Sequence, residues 1–205
     1  MSTYALDAPV DTDFSRERLV ALLSAAAARP EVVIRHDVDY SPFCAAQMAE
    51  LELEHGIRAT YHIRVDAPDY DLTCDSIPRI VAAGHDLGPH VDLHADRGAL
   101  FSDDELAAAC SSAYRALSAA YPSTRRVSFH QPPRDVIGRE VPGFESAQSW
   151  RWQGRWAADS RGIWRINPEE LLARGGPVML NLHPEWWFLP DEHATALRAR
   201  EATKP

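Results

Sequence analysis

The sequence is short of several things, and each shortage removes a class of function. No apolar run approaches the roughly 18–20 residues that a membrane-spanning helix needs. Cations are outnumbered, 21 Lys and Arg against 30 Asp and Glu, giving a formal net charge of −9 with no long acidic block. That leaves no basic face for nucleic acid and no polybasic stretch for an anionic membrane surface. Cysteine is scarce: Cys44, Cys74 and Cys110 are odd in number, scattered and without a C-x-x-C pair. Such a set reads as reduced thiols in a cytoplasmic protein. The first nine residues lack the basic start and apolar stretch of a secretory signal, which points the same way. Internal repeats and low-complexity linkers are missing too.

What is present is an ordinary core-forming composition and a regular alternation of elements. Hydrophobic residues make up 45% of 205 residues, enough for one sizeable domain over 1–205 and not comfortably for two. Residues 14–28 read as a helix that Pro30 stops, followed by the β-branched run Val32-Val33-Ile34. Ser41-Pro42 opens a second helix that Gly56 ends, and 58–65 reads as a strand. A third helix covers about 75–83, and a short strand or turn through Asp86-Leu87-Gly88 leads into His90. Ser102 with Glu105 is a capping box opening a helix to about Ala120, and 126–129 is the next strand. Residues 131–165 are rich in Pro, Gly, Arg and Trp and hold only short elements. Asn167-Pro168 starts a helix that Gly175-Gly176 ends, 178–182 is a strand, and the tail from Asp191 is helical. Helices alternating with apolar strands give an α/β fold with a mainly parallel sheet, whose ligands sit at the strands' C-terminal ends.

Those ends carry chemistry-bearing residues: Asp37 and Asp39, His90 and His94, His130, and His183. His90 and His94 are four apart, a spacing that puts both rings on one face of a helical turn. An isolated H-x3-H is more often a surface pair than a ligand pair. Asp37 and Asp39 are alternate residues of an extended segment and point the same way, where two carboxylates crowd unless a cation sits near them. A solvated turn is the plainer account of that pair, but it follows an apolar strand directly. One carboxylate with two imidazoles leaves metal positions open, the layout of a catalytic rather than a structural site. His85 reads as structural, near the turn after Gly84. His183 precedes Pro184-Glu185-Trp186-Trp187, where tryptophan faces suit sugar rings and equally suit packing. Asp159-Ser160-Arg161-Gly162 alone is only a turn.

In order, these segments resemble the NodB-homology polysaccharide deacetylases (carbohydrate esterase family 4), in the branch with Arg-His-Asp-Val-Asp and His-Pro-x-Trp-Trp motifs. The resemblance spans roughly residues 31–187. It implies a distorted (β/α) barrel of about seven parallel strands and hydrolysis of a carbohydrate N-acetyl group in surface glycan synthesis. By matching positions, Asp39, His90 and His94 would hold a divalent metal, zinc first, with cobalt, nickel or iron(II) also fitting. Asp37 would be the general base, His183 the general acid, and Asp159 the residue that orients His183. Gln131, Pro132 and Trp186 would contact substrate. Two departures stand out. Gln131 occupies the place where the family has an Arg paired with the base, so Arg35 or Arg134 would have to supply that charge. Val38 separates two aspartates that are often adjacent, which leaves the division of base and ligand between Asp37 and Asp39 open. Two alternatives follow: hydrolysis of small or cyclic amides on the same fold, and a metal-binding carbohydrate-recognition domain without catalysis.

Overall fold

The computed structural model describes residues 11–93 and 100–202. Seven strands form one sheet, ordered β5-β4-β3-β2-β1-β7-β6, with every neighbouring pair parallel. In chain order these are β1 (Val32–Val38), β2 (Thr60–Arg64), β3 (Asp86–Val91), β4 (Arg126–Phe129), β5 (Glu145–Ser146), β6 (Trp156–Ala158) and β7 (Val178–Leu182). The sheet curls into an incomplete barrel with β5 and β6 at its edges, the distorted (β/α) barrel that the sequence implied. The helices are α1 (Arg16–Ala27), α2 (Pro42–Glu54), α3 (Ser76–Ala82), α4 (Asp103–Ala120), α5 (Pro168–Ala173), α6 (Glu185–Phe188) and α7 (Asp191–Ala202). None of the described helices is long and apolar enough to cross a membrane.

Local chemistry explains the helix starts. Ser15, Ser41, Ser102 and Asn167 each accept a hydrogen bond from a backbone amide of the first turn of α1, α2, α4 and α5. The capping box at Ser102 and Glu105 closes in both directions. Leu19, Leu22, Leu23 and Ala26 put one stripe of α1 into the core. Gly56 and Gly84, at φ 69° and 88°, end α2 and α3 in the left-handed region that glycine takes without a steric cost.

Two expectations are corrected. His90 lies within a strand, because β3 runs from Asp86 to Val91 and pairs with β2 as far as Arg64↔His90. The helical-turn account of the His90 and His94 spacing therefore fails, and ladder hydrogen bonds rather than local helix geometry place His90. His94 itself lies outside the described residues. The polar cluster after Ile34 is likewise strand, since β1 continues through Arg35-His36-Asp37-Val38.

Strand alternation then sorts the side chains. Arg35 and Asp37 turn to the concave face and line a cleft, while Ile34 and Val38 join the apolar core that packs on α2. Gly88, on the concave side of β3, allows a close approach. A Cβ there would meet the Arg126 carbonyl oxygen at 2.2 Å and the His62 ring at 3.2 Å.

Candidate active site

A cleft of about 1320 Å³ opens at the C-terminal ends of the strands. Its floor is built from β1, β3, β4 and β7, which deliver Asp37, Asp39, His90, His130, Asn181 and His183. All are buried or nearly so, because the strand ends lie below a rim of loops.

Asp39 sits at the centre. Its Oδ1 lies 3.0 Å from His90 Nε2 and 3.1 Å from His130 Nδ1. His183 Nε2 is 3.8 Å from Asp39 Oδ2. Among the described residues, Asp39, His90 and His130 are the group whose ligand atoms all lie within 4.8 Å of one another. Two backbone amides, of Asp39 and Tyr40, donate to Glu185 Oε1 at 3.0 and 2.7 Å and fix the turn that presents Asp39. Burial and the neighbouring Asp39 push Glu185 up to about 8 despite those donors.

Asp37 is held from both sides of its carboxylate. Oδ1 accepts from Arg35 Nη1 at 2.8 Å and from Ser128 Oγ at 2.6 Å, and Oδ2 accepts from Asn181 Nδ2 at 3.0 Å. Burial favours the neutral acid, but the Arg35 guanidinium, foremost among its neighbours, holds this carboxyl far below the usual range. Arg35 thus supplies the positive charge that Gln131 cannot. Arg134 lines the cleft without a bond to Asp37 among those observed. His62 approaches Asp37 to 3.6 Å, but burial depresses it to about 3 and keeps it neutral.

Ser128 links Asp37 to the His90 ring and fixes a tautomer. Its hydroxyl hydrogen goes to Asp37, so at 2.5 Å from His90 Nδ1 it accepts that ring's N–H. In the neutral ring, Nε2 then carries a lone pair, and it faces the Asp39 carboxylate oxygen at 3.0 Å. Two acceptors in that relation need a cation between them or a second proton on the ring. The donor set of one carboxylate and two imidazoles suits zinc or a related divalent ion, so these residues fit a metal.

His183 forms a separate pair. Its Nδ1 donates to Asp159 Oδ1 at 2.6 Å, and its backbone amide donates to the same carboxylate. Asp159, 0% exposed, also accepts from Trp187 Nε1 at 2.8 Å. Burial opposes the charged ring, yet the hydrogen bond to Asp159 and the nearby carboxylates raise His183 to about 10. The two tryptophans divide: Trp187 packs edge-on against Phe14 and serves Asp159, while Trp186 borders the cleft with Arg198 over its ring at 5.6 Å.

Of the residues singled out from sequence, Asp37, Asp39, His90 and His183 converge on the floor, and Asp159 lies directly behind His183. Gln131, Pro132 and Trp186 line the walls. His85 is structural, accepting the Ala59 amide on Nδ1 and donating to the Ala49 carbonyl through Nε2. Sequence reasoning gave His130 a place on the rim but no role; its position directly after β4 was the available signal. Ser128 and Asn181, both inside strands, gave no signal of their own.

No family model and no curated protein matches the sequence. Solved structures do align. A mutant of a CE4-family pseudoenzyme from Bacillus anthracis, with restored enzymatic activity, is 19% identical with a TM-score of 0.49, and the alignment covers 83% of this chain and 63% of that one. This chain thus spans less than two thirds of that protein's length. A family 4 acetyl xylan esterase from Clostridium thermocellum in complex with a cobalt ion is 16% identical, with 83% and 82% covered and a TM-score of 0.49. A family 4 carbohydrate esterase from Bacillus anthracis is 16% identical, with 92% and 87% covered and a TM-score of 0.43. These are likenesses of shape at low identity.

Proposed function

We propose that this chain is a metal-dependent hydrolase that removes an N-acetyl group from a carbohydrate, acting in the cytoplasm on an intermediate of surface glycan synthesis. The observation that carries the reading is the convergence of His90 and His130 on Asp39 Oδ1 at 3.0 and 3.1 Å, with Asp37 on one side and His183 on the other. Asp39, His90 and His130 would hold the ion, zinc first. His94 remains a further ligand proposed from sequence alone. A divalent ion bound there supplies Lewis acidity toward an acyl carbonyl and lowers the pKa of water.

Asp37 is the proposed base. Three donors occupy three of its four lone-pair positions, leaving one on Oδ2 to take a proton. Its separation from the Asp39 cluster supports dividing base and ligand this way. His183 is the proposed acid: held by Asp159, it stays protonated near neutral pH and can protonate a departing amine. The cleft is larger than the roughly 300–1,000 Å³ typical of small-ligand pockets, which favours a glycan over a small cyclic amide.

The test is metal analysis of the purified protein together with turnover on N-acetylhexosamine oligomers and on cyclic amides. Metal at about one per chain, with acetate released from the sugars and not by Asp37→Asn, is the expected outcome. Activity on cyclic amides alone sinks the sugar reading, and metal without turnover on any amide or ester favours a recognition domain.

A further inference from the structure

Helix α7 reaches the cleft with Glu201, a carboxylate only 4% exposed although it lies near the end of a polar helix. Tyr40 Oη donates to Glu201 Oε1, and Gln131 Nε2 donates to Oε2 at 3.2 Å. Both partners are neighbours of proposed ligands in the chain: Tyr40 follows Asp39, and Gln131 follows His130. One carboxylate therefore ties the turn after β1 to the loop after β4, where Asp39 Oδ1 and His130 Nδ1 meet at 3.1 Å. Gln131 is held at φ 45°, in the left-handed region, which a residue other than glycine keeps only where its surroundings impose it. Arg35 already serves Asp37, so Gln131 is available for this second task.

We propose that Glu201 is a positioning residue for the metal centre, bracing the two loops so that His130 and Asp39 stay at ligand spacing. The inference rests on the metal reading above.

The experiment is cobalt(II) titration of the metal-free, full-length protein, read by visible absorption, beside its thermal unfolding. Glu201→Ala is expected to bind cobalt about tenfold more weakly than wild type, the lower end of what outer residues contribute to metal affinity, with an altered absorption band. Its metal-free unfolding temperature should fall below that of Glu192→Gln, a change on the exposed face of the same helix, so cobalt binding is compared well below both transitions. Tyr40→Phe combined with Gln131→Ala removes the same two bonds from the other end and should give the same weakening, even if Glu201→Ala does not fold. Cobalt affinity and absorption equal to wild type in either folded variant would overturn the brace alone. A wild-type protein that takes up no cobalt would overturn the metal centre and the brace with it.

Discussion

Two buried histidine–carboxylate clusters lie on opposite faces of one sheet, and β1 contributes to both from adjacent positions. On the convex side His36 Nε2 and Glu52 Oε1 share a hydrogen bond of 2.8 Å, and Tyr61 Oη donates to Glu52 Oε2 at 2.7 Å. The His36 ring stacks on Tyr61 at 4.2 Å, and His85 meets Tyr61 edge-on. Both oxygens of Glu52 are in use and α2 seals the cluster. On the concave side His90 and His130 converge on Asp39 Oδ1 at 3.0 and 3.1 Å, and the group opens to the cleft. Histidine and carboxylate together do not mark chemistry. What separates the clusters is access: one is sealed beneath α2 and the other opens to a ligand.

That contrast can be broken by experiment. The largest effect is expected from Asp39→Ala with His90→Ala, which should abolish both metal binding and turnover, checked by metal analysis and acetate release. His183→Gln should lower kcat by about 10²–10⁴-fold with the metal retained; loss of metal instead would place His183 among the ligands. In the metal-free protein the same pair has a pH signature. His183 is raised in the folded state, so its contribution to stability is whole below 6.5 and declines as pH rises through about 10. Urea unfolding across that range should show the decline in wild type and lose it in His183→Gln.

On the sealed face the expected loss is in stability. Glu52→Ala leaves His36 and Tyr61 without their buried partner and should cost about 3–5 kcal/mol, with metal per folded chain unchanged. Metal loss in folded Glu52→Ala would show that the two faces are coupled. Arg35→Met should raise the Asp37 pKa, so the acid limb of the pH–rate profile moves to higher pH; an unmoved limb would exclude Asp37 as the base. Trp187→Phe should have the smallest effect, about 1 kcal/mol for one lost hydrogen bond to Asp159, measured by thermal unfolding.

The division between faces was only partly legible in the sequence. Alternation of helices and β-branched runs gave the architecture, because those patterns reflect burial period. Arg35-His36-Asp37-Val38-Asp39 looked like one polar cluster after a short strand. As strand, it sends His36 to one side and Arg35 with Asp37 to the other, and nothing local announces how far β1 extends. Asp37, Asp39, His90 and His183 were found because they sit at or near strand ends and follow a family order. Arg35 as the partner of Asp37 was one of two options until its 2.8 Å bond decided between them. Ser128 and Glu201 were out of reach: one is an ordinary strand serine, and the other acts on residues 70 and 161 positions away.

Gly88 deserves a place beside these residues although it touches no ligand. Its missing side chain lets the Arg126 main chain lie against β3, and two residues further along the same pairing His90 stands opposite Ser128. A methyl group at position 88 would wedge the strands apart at their base and lift the serine hydroxyl away from both the imidazole and Asp37. The site thus has a tolerance set by the close strand contact beneath it, and widening the cleft from below would detune its tautomer before admitting a larger guest.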